Sequence, residues 1–116
     1  MTSHVGFCVL YRFRVREGEE DAFVAAWAAL THGIREQRGG LGSRLHRDED
    51  GTFVAYAQWP DRAAWQRAQE LPSVDPEASA RMSRTLTESF APILLTPEND
   101  LLERLPAGSQ PGGLRG

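Results

Sequence analysis

The fold is decided by residues 51–65, which read GTFVAYAQWPDRAAW. Residues 52–59 are rich in β-branched, aromatic and small side chains, which predicts a strand. Side chains alternate across a strand, so one face holds Phe53, Ala55, Ala57 and Trp59 and the other holds Val54, Tyr56 and Gln58. A large indole at the end of a face with two alanines predicts a hollow beside it.

A helix is predicted to follow this strand at once. Pro60 cannot continue a central hydrogen-bonded ladder, and the carboxylate of Asp61 can accept from the amides that open a helix. Trp65 then lies about one turn into the helix, where it can help Trp59 to wall the hollow.

Upstream of this stretch, the pattern predicts a strand, a helix and a second strand. Residues 7–15 alternate as a strand that places Tyr11 on the same face as Val9 and Phe13. A helix over residues 19–38 carries Phe23, Trp27, Leu30 and Ile34 as one apolar stripe and stops at Gly39-Gly40. Residues 41–47 form the second strand, with Leu45 on its inner face, and residues 48–51 form a hairpin turn.

Downstream, the pattern predicts two helices and a last strand. The second helix covers residues 61–71. The third begins with Asp75 as cap and Pro76 in its first turn, and its apolar side is Ala78, Met82 and Leu86. Residues 89–96 form the last strand, which tolerates Pro92 only at an edge or a bulge. Residues 99–105 form a short amphipathic segment, and disorder is expected from Pro106 onward.

The order strand, helix, strand, strand, helix in two pieces, strand is the ferredoxin-like βαββαβ pattern of an α+β protein. Its antiparallel sheet carries helices on one face only. The opposite face would present Leu10, Val54 and Tyr56, which are too apolar for water, so we predict a homodimer that pairs two such faces.

The totals agree with one small domain. The 116 residues fit a domain over about residues 1–97 and an extension over residues 98–116. A net charge of −3 argues against nucleic acid or an anionic membrane as partner. The single cysteine, Cys8, excludes an intrachain disulfide and reads as a small apolar strand residue. No secretion signal is evident, so a cytoplasmic location is the expectation.

Several segments together resemble the antibiotic biosynthesis monooxygenase superfamily. They are the strand Phe53–Trp59, the Leu41-Gly42-Ser43 opening of the second strand, the Asp50-Gly51 hairpin and the helix start over residues 61–65. The resemblance covers about residues 5–97 and implies a dimeric α+β barrel. It also implies oxidation of a small aromatic or enolic, polyketide- or quinol-like substrate by O2 without metal, flavin or haem.

Such a reaction needs a dry pocket and groups that stabilise an enolate. The resemblance places a pocket tryptophan at Trp59, an aromatic residue at Trp65, an arginine near Arg81, and family asparagine and tyrosine positions at Ala55 and about Leu45. The residues themselves add Tyr11, a polar group on the pocket face, and Trp27, as core or cavity roof. We therefore assign Trp59, Tyr11 and Arg81 as catalytic and Trp65, Trp27, Leu45 and Ala55 as substrate-binding.

Each assignment has a plainer alternative. Trp59 can be a core indole, Trp65 can be packing, and Arg81 can be surface charge. Because Ala55 retains nothing polar, a non-catalytic dimeric module that binds a small ligand or only assembles stays open. His46 points away from the pocket by parity. Haem degradation is excluded because the positions that this branch of the superfamily uses hold about Tyr11, Ala68 and Ala78. No HxxxH or CxxC motif offers a metal site.

Overall fold

The computed structural model describes residues 4–103. Its elements are β1 (Phe7–Val15), α1 (Glu20–Gln37), β2 (Ser43–Arg47), β3 (Phe53–Trp59), α2 (Arg62–Gln69), α3 (Pro76–Thr85), β4 (Leu86–Ser89) and β5 (Ile93–Leu95). The predicted disorder from Pro106 lies outside the described residues, and residues 99–103 are exposed and belong to no helix or strand.

The sheet is antiparallel and runs in the order β2-β3-β1-β4, with β5 also paired to β1. Along β1 and β3, Tyr11 lies opposite Ala55 and Phe7 lies opposite Trp59. Along β2 and β3, Ser43 lies opposite Ala57 and Leu45 lies opposite Ala55. The predicted ferredoxin-like α+β fold is confirmed, and β3 is an interior strand as residues 51–65 indicate.

The last strand was predicted wrongly in its bounds. Two short strands, β4 and β5, replace the single strand over residues 89–96, and both pair with the edge of β1. Leu86, expected on the apolar side of α3, begins β4. Pro92 lies in the gap between the two strands, because its ring nitrogen has no proton to donate to the ladder of β1.

Both short helices begin as the sequence predicts. The Asp61 carboxylate accepts a hydrogen bond from the backbone N–H of Ala64 at 2.8 Å. The Asp75 carboxylate accepts one from the N–H of Ala78 at 3.0 Å, and Pro76 occupies the first turn of α3. These caps fix where the chain leaves the sheet and turns back over it.

An aromatic cluster holds α1 against the sheet. The ring of Phe23 on α1 lies 4.8 Å from that of Phe53 on β3 and 5.4 Å from that of Phe13 on β1, measured between ring centres. Phe23 is fully buried. A second cluster, built around Phe7, Val9 and Trp59, fills the other end of the same sheet face.

Two glycines allow α1 to approach its neighbours closely. A Cβ on Gly33 would come within 2.6 Å of Cγ2 of Val74, in the linker between α2 and α3. A Cβ on Gly40 would come within 2.8 Å of Cγ2 of Ile34 and 3.6 Å of the Trp59 ring. Both positions lie where the end of α1 closes over the sheet.

The face of the sheet without helices is mixed in character. The pairing of β5 with β1 brings Ile93 beside Leu10 and Leu95 beside Cys8 on this outer face. The Cys8 Sγ and Tyr56 Oη lie 3.3 Å apart there, a contact that contributes to raising the pKa of the Tyr56 phenol. His46 is also on this face, where its Nε2 accepts from Nε of Arg44 at 3.0 Å. No helix within residues 4–103 is long and apolar enough to cross a membrane.

Candidate active site

A cavity of about 400 Å³ lies between the sheet and the helices, within the size range of small-molecule sites. Its floor is the small-residue part of β3, Ala55 and Ala57, with Trp59 at one end. Its cover is α1, and residues of α2, of α3 and of the linker between them line its outer side, which is partly open to solvent. The hollow that the alanine-rich face of β3 predicts is therefore present.

One stripe of α1 supplies most of the cover. Trp27, Leu30, Thr31, Ile34, Arg35 and Arg38 all line the cavity. Their spacings of i, i+3, i+4, i+7, i+8 and i+11 are those of a single helical face. The stripe thus changes along the helix from apolar residues at Trp27 to cationic residues at the end of α1.

Tyr11 and Trp65 form a polar pair at the wall of the cavity. The indole Nε1–H of Trp65 donates a hydrogen bond to the Tyr11 hydroxyl oxygen at 2.9 Å. Burial raises the pKa of Tyr11 above its usual value of 10, and the hydrogen bond from Trp65 opposes part of that rise. Tyr11 is therefore a neutral phenol at pH 7. Because its oxygen accepts from Trp65, its own proton is available to donate toward the cavity.

Two other cavity residues carry polar atoms without a partner. The Nε1–H of Trp59 and the Oγ of Ser43 are buried and make no hydrogen bond within the described chain. An unsatisfied buried donor costs free energy, on the order of 1–3 kcal/mol. Both residues line the cavity, and Ser43 lies opposite Ala57, two residues along β3 from Trp59. The cavity therefore offers two polar groups that are free to bond a ligand.

The structure brings four of the seven predicted site residues into the cavity wall: Trp59, Tyr11, Trp27 and Ala55. Trp65 does not line the cavity, but it holds Tyr11 and packs on Phe7, with ring centres 5.8 Å apart. The sequence pattern predicts its position near the hollow, whereas the contact with Tyr11 joins residues 54 positions apart.

The structure places the other two predicted residues elsewhere. Arg81 lies on the outside of α3, half exposed, with Nη1 3.6 Å from a carboxylate oxygen of Glu77. Leu45 lines a shallow groove between α1 and β2 that it shares with Trp27 and Phe53. Neither belongs to the lining of the cavity.

Sequence reasoning missed Arg35, Arg38 and Ser43 as cavity residues. The signal for the arginines is present in the spacing, because Thr31, Arg35 and Arg38 continue the stripe of Trp27 and Ile34 with polar side chains. For Ser43, the parity of β2 gives its face but not its lack of a hydrogen-bond partner. Among residues 4–103, no group of three or more His, Cys, Asp and Glu side chains is arranged to hold a metal ion.

Comparison with known proteins gives the family. The family model for antibiotic biosynthesis monooxygenase matches residues 6–76. The chain belongs to this family. The family resemblance that these strand, hairpin and helix segments indicated is thereby confirmed. No curated protein matches the chain.

Several solved structures share the fold of this chain. A single-residue variant of SnoaB, a cofactor-independent oxygenase from Streptomyces nogalater, is 27% identical with a TM-score of 0.69, over 86% of this chain and 100% of that chain. Rv0793 from Mycobacterium tuberculosis is 23% identical with a TM-score of 0.66, over 83% of this chain and 98% of that one. A protein from Methanosarcina mazei is 12% identical with a TM-score of 0.67, over 83% and 96%.

Proposed function

We propose that this protein is a cofactor-independent monooxygenase that oxidises a small hydroxyaromatic or enolic molecule with O2 inside the cavity. One observation carries the proposal: the neutral Tyr11 phenol, fixed by Trp65, stands in the wall of a mostly apolar cavity that Trp59 also lines. Membership of the family and the likeness to SnoaB support it.

The proposed chemistry begins with a substrate that loses a proton to become an enolate or phenolate. Tyr11 donates a hydrogen bond to the oxyanion, which stabilises negative charge where it develops. A phenol with a raised pKa is a poor base at pH 7, and no Asp, Glu or His lines the described cavity. We therefore infer that the proton leaves to water and that the substrate is itself acidic, as an anthrone or a hydroquinone is.

The oxidation balances without a further reductant. The enolate passes one electron to O2, and the substrate radical and superoxide then combine to form a carbon–oxygen bond. The peroxide anion takes back a proton from water, and in an anthrone the loss of water from this hydroperoxide converts the methylene into a carbonyl. One oxygen atom stays in the product, and the other leaves as water with both methylene hydrogens. The aromatic walls orient the ring during these steps and limit the access of water.

Oxygen uptake with a panel of anthrones and hydroquinones tests this function. We expect the wild type to take up oxygen. The rate of uptake should fall about 100-fold in Tyr11→Phe, because loss of one oxyanion donor typically has an effect of this size. Trp59→Ala should lose turnover as well, because it opens the wall of the cavity. Tyr56→Phe is the matched control, since it removes the only other tyrosine hydroxyl from the opposite face of the sheet.

A non-catalytic module that binds a small apolar ligand is the second candidate. The observation that favours it is Ala55, which lines the floor where the oxygenase branch carries an asparagine. A folded wild type that binds members of the panel but consumes no oxygen with any of them would establish this alternative and overturn the first.

We also propose that the protein assembles as a homodimer through the outer face of the sheet. Leu10, Ile93 and Leu95 meet on that face, next to Tyr56. Ile93 and Leu95 each remain more than a third exposed, although they are large apolar side chains. Burial of such a patch against an identical one satisfies both copies at once.

A further inference from the structure

We propose that Arg35 and Arg38 form a carboxylate-binding subsite at one end of the cavity. They would select a substrate that carries an acidic group in addition to its oxidisable ring. This inference rests on the proposed function, because it names the class of substrate that the same cavity takes.

The charges around the cavity carry the first step. Arg35 and Arg38 line it, whereas no Asp, Glu or His within the described chain does. The chain as a whole has a net charge of −3 and holds 16 acidic residues. The net charge of the protein would repel anions. The charged groups that line the cavity are both cations, so the local potential there attracts anions.

Both arginines lie at the end of α1 that borders the cavity, with Arg38 half-buried and Arg35 exposed. The two residues are three positions apart at the end of α1, so their side chains leave the same face. Gly42 has no side chain, and a Cβ there would lie 3.7 Å from the Cδ of Arg35. The arginine stem therefore crosses the turn that leads into β2.

The two arginines differ in how their donors are used. Nη2 of Arg38 donates to the carbonyl of Pro72 at 3.1 Å and Nη1 to that of Gln37 at 3.3 Å, which fixes this group against the α2–α3 linker. Neither bond neutralises its charge. Arg35 makes no side-chain hydrogen bond or ion pair with residues 4–103. Guanidinium groups offer five N–H donors each and bind carboxylates in a bidentate manner.

An arginine in the last turn of a helix also stabilises the helix dipole. That role requires only proximity to the last carbonyls and is fulfilled by a side chain in open solvent. It predicts no preference of the cavity for an anionic ligand, so a ligand comparison separates the two roles.

The position of the subsite also sets the shape of the ligand. The backbone N–H of Gln58 on β3 donates a hydrogen bond to the carbonyl of Gly42 at 2.9 Å, which places the arginine end of the cavity beside Gln58. Tyr11 lies opposite Ala55 on the same strand. Three residues of strand separate these points, which is about 10 Å. A molecule of two or three fused rings, with its hydroxyl toward Tyr11 and its carboxylate toward the arginines, spans such a distance.

The test is isothermal titration calorimetry with 6-hydroxy-2-naphthoate and the corresponding neutral amide, 6-hydroxy-2-naphthamide. At low ionic strength we expect the wild type to bind the acid about 10-fold more tightly than the amide, and salt should reduce this preference. Arg35→Gln should lower it at least about threefold, and Arg35→Gln/Arg38→Gln should abolish it. Arg67→Gln, an exposed arginine of α2 outside the cavity lining, should keep it.

Equal binding of acid and amide by the wild type overturns the inference, as does a preference that survives in the folded double variant. Absence of binding by either ligand overturns it together with the cavity on which it depends. Calorimetry requires no turnover. A protein that prefers the acid yet consumes no oxygen with any substrate therefore retains this subsite and loses the proposed oxygenase function.

Discussion

At the scale of single residues, the central feature is a phenol that is both buried and held. Burial alone keeps the Tyr11 phenol neutral but does not set the direction of its O–H bond. The hydrogen bond from the Trp65 N–H occupies one side of the oxygen and so directs the proton. Since Trp65 holds the phenol without lining the cavity, we propose that it positions Tyr11.

Replacement of Trp65 by Phe tests this positioning. The variant keeps the aromatic packing on Phe7 but loses the donor to Tyr11. Because that hydrogen bond stabilises the phenolate, its loss should raise the pKa of Tyr11 further, as read from absorbance at 295 nm. Turnover should fall, but less than for Tyr11→Phe. An unchanged Tyr11 titration would contradict the role given to Trp65.

The raised pKa of Tyr11 also predicts how stability depends on pH. A group that holds its proton more tightly when folded contributes stability below its unfolded pKa of 10, and this contribution is lost as pH rises through the folded pKa. The free energy of unfolding of the wild type should therefore fall more steeply above pH 10 than that of Tyr11→Phe. Urea unfolding at a series of pH values measures both slopes, and equal slopes would contradict the burial of the phenol.

At the scale of elements, α1 connects the core to the site. Its stripe begins with Phe23 between two sheet aromatics and ends with Arg35 and Arg38 at the cavity. Packing at one end of the helix therefore fixes the geometry at the other.

Truncation of Phe23 should show how much this anchor contributes. We expect Phe23→Ala to lower the free energy of unfolding by about 3–5 kcal/mol, because it leaves a cavity between Phe13 and Phe53. The neighbouring Val24 is 40% exposed, so Val24→Ala should cost less than about 1 kcal/mol. Denaturant unfolding measures both. Similar losses for the two variants would contradict the aromatic anchor.

The contact of Gly33 with Val74 tests the closure of α1 over the linker. Gly33→Ala should destabilise the protein, because the new Cβ meets Val74. Val74→Ala removes the Cγ2 atom at 2.6 Å and leaves the Cβ atom of residue 74 at 3.1 Å from the new Cβ. Gly33→Ala should therefore cost less in this background, where helix propensity favours alanine by about 1 kcal/mol. A double-mutant cycle should give a coupling of at least about 1 kcal/mol. Additive effects would show that the helix and the linker do not touch there.

What the sequence could predict follows from periodicity. Alternation in residues 52–59 gave the faces of β3, and the 3.6-residue period gave the stripe of Phe23 and Trp27, so fold and hollow were predictable. Spacing gives faces and not distances, so the hydrogen bond between Trp65 and Tyr11 was not predictable. The prediction of the last strand was wrong in its bounds because β4 and β5 have only four and three residues. Strands this short show too few alternations of apolar and polar residues to reveal where each one begins and ends.

At the scale of the whole molecule, one sheet has two faces with different requirements. The inner face is covered by the helices of the same chain, and the outer face presents Leu10, Tyr56, Ile93 and Leu95. A standard interface of about 800 Å² per partner is large enough to cover a patch of this kind.

Sedimentation velocity tests the homodimer. The wild type should sediment as a dimer at micromolar concentration, and Leu10→Glu should sediment as a folded monomer, because a charge on the outer face has no partner in the interface. Ala63→Glu, on the exposed side of α2, should remain dimeric. A monomeric wild type, or a Leu10→Glu variant that stays dimeric, would contradict the assignment of this face.

The fate of the oxygen atoms tests the central claim most directly. Chelator-treated protein is incubated with an anthrone under ¹⁸O₂, and the product is analysed by mass spectrometry. A cofactor-independent monooxygenase should place one ¹⁸O atom in each quinone, and Tyr11→Phe should slow its formation about 100-fold. Unlabelled product, or formation that appears only after a metal or flavin is added, would contradict the account.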